Sequence, residues 1–179
     1  MRFILVVFSI IFSVISAYAA DDLNSQNEIL KLPSITAKLG IYNVVRELKN
    51  NDRKDDATNF SLEYRDKTRF SFEIKPIAGI LYTSKDDLFI YAGIMKSFAL
   101  PKDLNLNLSI APGYYNYGGK DKDLDNKLEF KSEIELAYKF SNGQDLGLAF
   151  AHISNASLGP SNPGVEILSV NYTIPVNLF

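Results

Sequence analysis

From residue 35 onward the chain changes polarity at almost every step. Over residues 127–140, Leu128, Phe130, Ile134, Leu136, Tyr138 and Phe140 share one parity; Glu129, Lys131, Glu133, Glu135 and Lys139 share the other. A period of two marks an extended strand with one apolar face, because successive side chains leave opposite sides of the pleat. A helix would place its apolar residues three or four apart instead. The same alternation recurs over residues 35–45 (Ile35, Ala37, Leu39, Ile41), over 58–66 (Phe60, Leu62, Tyr64 against Ser61, Glu63, Arg65) and over 69–83 (Phe70, Phe72, Ile74 against Ser71, Glu73, Lys75). It returns over 104–117, where Leu104, Leu106, Leu108 and Ile110 oppose Asn105, Asn107 and Ser109. Residues 88–98 read as a strand with both faces largely apolar, and residues 145–154 and 166–176 as a last pair. Pro76 and Gly79 predict a bulge or bend in the third strand.

Turn chemistry separates these runs. Asp66-Lys67-Thr68, residues 99–103 and Ser141-Asn142-Gly143 are short connections, whereas residues 46–57, 118–126 and the stretch after Ser154 are long and polar. The third connection, near residues 83–87, is intermediate in length. About eight strands with no helical period between them predict an all-β fold, an eight-stranded antiparallel transmembrane β-barrel. Several strands reach about 10 residues, enough to cross a bilayer when tilted. Short turns on one side and longer loops on the other is the pattern of bacterial outer-membrane barrels.

The chain begins with Arg2, an apolar run over residues 3–15 and Ser16-Ala17-Tyr18-Ala19, the pattern of a cleaved signal peptide over residues 1–19. The run is too short to serve as a membrane-spanning helix. Residues 20–34 read as a periplasmic lead-in and 35–179 as the barrel. There is no cysteine, so the fold must rest on its backbone ladder and packing. With 19 basic and 21 acidic residues and no basic stripe, nucleic acid is excluded as a partner.

Alternation alone leaves the two faces unassigned. A soluble lipocalin-like periplasmic carrier would turn the aliphatics inward; a membrane barrel would turn them to lipid and pair the charges in the lumen. Strand length, the 12 Phe and 10 Tyr residues available for interfacial girdles, and the terminal Phe179 favour the membrane. The absence of Trp and the interruption at Asn177 weigh the other way.

The final hairpin carries the chemistry. His152 and Ser154 share a parity with Leu146, Leu148 and Phe150, and Glu166 shares one with Leu168, Val170, Tyr172, Ile174 and Val176. A serine, a histidine and a glutamate at the loop-side ends of two apolar faces are the parts of an activated serine nucleophile: the imidazole takes the hydroxyl proton and the carboxylate orients the ring. His152 is the sole histidine, so it also reads as an incidental interfacial residue; a zinc site lacks ligands. Asp121, Asp123 and Asp125 alternate as in calcium loops but lack the turn glycine and the distal glutamate, so no metal and no cofactor is expected.

His152-Ile153-Ser154-Asn155 followed by Asn162-Pro163-Gly164-Val165-Glu166 resembles the lipid A 3-O-deacylase (PagL) family, whose H-x-S-N and N-x-G-x-E motifs are matched residue for residue. A looser likeness extends over the signal peptide, the barrel and the early Gly40-to-Asn43 stretch. The resemblance implies an outer-membrane esterase acting on lipid A of lipopolysaccharide, with Ser154 as nucleophile, His152 as base and Glu166 as its partner. It also implies oxyanion support from the loop after the serine: backbone near Ala156 and Ser157, with Asn162 and Asn155. Ser157 stands where family members often carry glycine. Asn155 and Asn162 read equally well as turn residues, and Gly159, Pro160, Pro163 and Gly164 as loop formers. Lys85, Lys120 and Lys122 fall in the outer loops, where they could meet lipid A phosphates or simply be solvated. Outer-membrane lipids are the expected surroundings and a second copy of the chain is an open partner. A non-catalytic barrel of the same build, adhesin or structural, is the rival.

Overall fold

The computed structural model describes residues 32–44, 57–67, 70, 72, 74–120 and 123–176. The expected signal peptide, most of the lead-in and of the first outer loop, Asp121, Lys122 and Phe179 lie outside the described residues. Eight strands follow one another: β1 (Ser34–Tyr42), β2 (Ala57–Arg65), β3 (Ile74–Thr83), β4 (Leu88–Leu100), β5 (Leu104–Asn116), β6 (Leu128–Lys139), β7 (Asp145–Ser154) and β8 (Val165–Pro175). Each pairs antiparallel with its neighbours, and β1 pairs with β8 from Ser34↔Pro175 to Tyr42↔Ile167, closing the barrel. Closure leaves no sheet edge exposed.

The faces are those of a membrane barrel. Leu39 is 65% exposed, and Phe60, Ile80, Ile90, Ile110, Ile134, Leu136, Phe150 and Ile174 also stand on the outer wall. Lys38, Glu63, Arg65, Lys131, Glu133 and Glu135 are buried inside. Such an apolar exterior around a charged interior suits lipid outside and is the reverse of the soluble carrier weighed from sequence. The interior charges answer one another. Lys38 Nζ lies 2.9 Å from Glu63 and 2.5 Å from Glu133; Arg65 lies 2.9 Å from Glu63 and 2.7 Å from Glu135. Lys131 lies 3.1 Å from Glu63 and 3.2 Å from Glu133, with its ammonium 4.1 Å from the centre of the Tyr91 ring. Asn107 and Asn171 donate to the two oxygens of Glu135.

Toward the end where β7 meets β8 the interior turns apolar. Tyr42, Phe89, Tyr115, Leu124, Ile153, Val165 and Ile167 form one buried cluster that fills the lumen. This explains why β4 shows little alternation: its inward residues Phe89, Tyr91 and Met95 belong to that filling.

Two local expectations are corrected. β3 begins at Ile74 rather than residue 69, because Phe70 N–H closes a tight loop onto the Ile74 carbonyl (2.8 Å). Phe70 and Phe72 therefore sit in the connection, Phe72 81% exposed, rather than on the strand. Nor is there a bulge at Pro76 or Gly79, since the register of β3 with both neighbours is unbroken. Gly79 makes room instead: a Cβ there would lie 2.5 Å from the Tyr91 ring and hydroxyl.

Candidate active site

The β7–β8 hairpin sets the geometry. Alternation along β7 sends Ile153 into the lumen and leaves His152 and Ser154 on the outer wall. Glu166 is the direct cross-strand partner of His152, so the two side chains share a face. His152 Nδ1 lies 3.5 Å from Glu166 Oε1, with the side chains 43% and 28% exposed. That distance is loose for a hydrogen bond, and catalytic contacts are often loose before substrate binds. On the other side, β6 places Ser132 opposite His152 and Phe130 opposite Ser154. Leu108, Ser132, Ile134, Phe150 and His152 line a groove of about 330 Å³ on the outer wall.

Residues 155–164 connect the two strands, and Asn155 is their strut. Its side chain is buried; Nδ2 donates to the Ser161 carbonyl (2.7 Å) and, more weakly, to the Leu124 carbonyl (3.4 Å), while Oδ1 accepts from Ser157 N–H (2.9 Å). Asn162 Oδ1 accepts from Asn155 N–H (3.1 Å). Ala156 (φ 52°) and Ser157 (φ 63°) are both left-handed. Such a backbone favours glycine, and Ser157 occupies it without one.

Sequence reasoning missed two contributors. Gly164, read as a loop former, has φ 47° and backs directly on the imidazole: a Cβ would lie 2.8 Å from His152 Cε1. Its proximity to the motif glutamate was the available signal. Leu124, inside what reads as a solvated loop, is buried in the lumen mouth and accepts from Asn155. The rim lysines are partly engaged already. Lys120 is ion-paired with Asp86, and this contact, with a hydrogen bond from Tyr82, holds the Asp86 carboxyl below its usual range.

The lipid A 3-O-deacylase (PagL) family model matches residues 88–175, which span five strands and the whole candidate site. Over these residues the barrel is similar to the lipid A 3-O-deacylases of the PagL family. A lipid A deacylase PagL of Pseudomonas aeruginosa is 41% identical over 56 residues, covering 31% of this chain and 32% of the relative. Another, of Bordetella bronchiseptica, is 32% identical over 53 residues, covering 30% of each. The matched stretch thus spans about a third of either curated relative. The crystal structure of the outer membrane enzyme PagL superposes with TM-score 0.57 at 21% identity, covering 80% of this chain and 99% of that one. Fold, apolar wall and family agree: the protein is an outer-membrane β-barrel.

Proposed function

We propose that the protein hydrolyses the 3-O-linked acyl ester of lipid A, by attack from the outer wall of the barrel. Ser154 Oγ adds to the ester carbonyl as His152 takes its proton, and Glu166 orients the ring and supports its charge. The tetrahedral oxyanion is met by the Ala156 N–H and the Asn162 amide. Of the N–H groups of the loop, those of Asn155, Ser157 and Leu158 are used internally. Asn155 holds the loop rather than donating, since its Nδ2 is given to two carbonyls. Collapse breaks the bond to the sugar oxygen, which leaves with the proton held by His152. Water then hydrolyses the acyl–serine ester by the same relay and releases a fatty acid. The groove beside His152, walled by Leu108, Ile134 and Phe150, suits the acyl chain.

The observation that carries this reading is the pairing of His152 with Glu166 on a lipid-facing surface. Apolar wall is an expensive place for an ionisable pair without a function. The test is release of 3-hydroxy fatty acid from lipopolysaccharide in vesicles by purified protein, read by mass spectrometry. Ser154→Ala is expected to lower release by about 10³-fold or more. An unchanged yield overturns the esterase reading in favour of a non-catalytic barrel.

A further inference from the structure

We propose that Asp125 is a positioning residue for this site, acting through a clamp that the β5–β6 connection places on the loop after Ser154. The proposal rests on the esterase reading for its chemistry, but its structural half stands separately. Ala156 and Ser157 occupy consecutive left-handed conformations that residues with a Cβ rarely adopt. Bonds from Asn155 to Ser157 and Leu158 hold this turn from within, and contacts from outside residues 155–164 brace it further.

Two successive residues of the neighbouring connection bond to that loop, and a third stands beside it. The Leu124 carbonyl accepts from Asn155 Nδ2, Asp125 Oδ2 accepts from Ser161 Oγ, and Asn126 Nδ2 would lie 3.8 Å from a Cβ at Gly159. The finger is shaped before it reaches the site: Asp125 is itself left-handed (φ 63°) and its N–H donates to Asp123 Oδ1 (3.0 Å). It is also anchored. The Leu124 side chain is buried in the same cluster as Ile153, which separates His152 from Ser154, and Val165, which precedes Glu166. One residue therefore ties the core beneath the triad to the strut above it, and Asp125 closes the clasp at the far end of the loop.

Because Ser161 and Asn155 are joined through Asn155 Nδ2→Ser161 O (2.7 Å), a pull on Ser161 is transmitted to the residue next to the nucleophile. Asn162, next in sequence, carries an oxyanion donor under the reading above. Loss of the clasp blurs the aim of that donor and of the Ala156 N–H, while the acyl groove on β5, β6 and β7 is untouched. The effect belongs in kcat rather than KM.

The experiment uses the full-length protein in lipopolysaccharide vesicles. Asp125→Ala, Ser161→Ala and the double variant are compared with Asp125→Asn, whose amide oxygen still accepts from the serine. Each alanine variant is expected to lose about 10- to 100-fold in kcat with KM within about twofold. The double variant should fall no further than the worse single, and Asp125→Asn should recover most of the loss. Amide hydrogen exchange over residues 155–164 is measured alongside and should quicken in both alanine variants. Wild-type kcat in Asp125→Ala, or additive losses, overturns the positioning role. If the wild type releases no fatty acid, the esterase reading fails and exchange alone judges the clamp: unchanged protection overturns it.

Discussion

Replacing Glu63 by Gln removes one charge from the middle of the lumen with almost no change of shape. The network holds Lys38, Arg65 and Lys131 against Glu63, Glu133 and Glu135, so its formal charges cancel. Glu63 is the hub: it meets all three cations and accepts from the Tyr91 hydroxyl at 2.9 Å. Without it each cation keeps one partner, Lys38 and Lys131 on Glu133 and Arg65 on Glu135, but one positive charge is left over. Breaking a buried pair costs about 3–5 kcal/mol, and the retained partners put this case near the lower end, at about 3 kcal/mol. That is a factor of roughly 150 in the folding equilibrium. Urea titration in lipid vesicles, following the fraction that migrates as folded on unheated gels, should show a midpoint lowered by about 1–3 M. Adding Lys131→Met restores neutrality and should recover more than half of the loss. An unshifted midpoint, or a double variant no better than the single, would refute charge balance as what holds the lumen.

Two further substitutions probe neighbouring features. Gly79→Ala drives a methyl into the Tyr91 ring, 2.5 Å from its intended Cβ, and should cost about 1–3 kcal/mol by the same titration; Tyr91→Leu in that background should relieve part of it. Glu129, at the outer end of β6, is buried, and among the described residues neither carboxylate oxygen has a hydrogen-bond partner. Glu129→Gln removes a buried carboxyl that has no partner among the described residues and should raise the urea midpoint, corresponding to about 1–3 kcal/mol; a lower midpoint would show that the carboxylate is needed where it is.

Most of the barrel was legible because lipid and lumen make opposite demands on alternate residues. β6 is the clearest case: Lys131, Glu133 and Glu135 face inward, and Phe130, Ile134 and Leu136 outward. β4 was obscured where the lumen itself is apolar, since Phe89 and Tyr91 look like wall residues. The alternation over residues 69–74 ran on past the true strand end because a short bridge between Phe70 and Ile74 leaves no trace in polarity. Gly79 looked like a bend because its partner, the Tyr91 ring, comes from the next strand. At the site, the parity of His152, Ser154 and Glu166 followed from strand period alone. The burial of Asn155, the wedge at Leu124 and the backing of Gly164 on His152 depend on how two loops pack, which no local spacing encodes.

A stoppered cylinder is not a conduit. Phe89, Leu124, Ile153 and Val165 pack together in the interior, so side chains rather than an open bore occupy the barrel at that level. Under the proposed reaction, reactant and both products therefore meet and leave the protein sideways, within a single leaflet. Encounter is then two-dimensional: velocity follows the mole fraction of substrate among its lipid neighbours, not its concentration in the surrounding water, and inert lipid acts as a diluent.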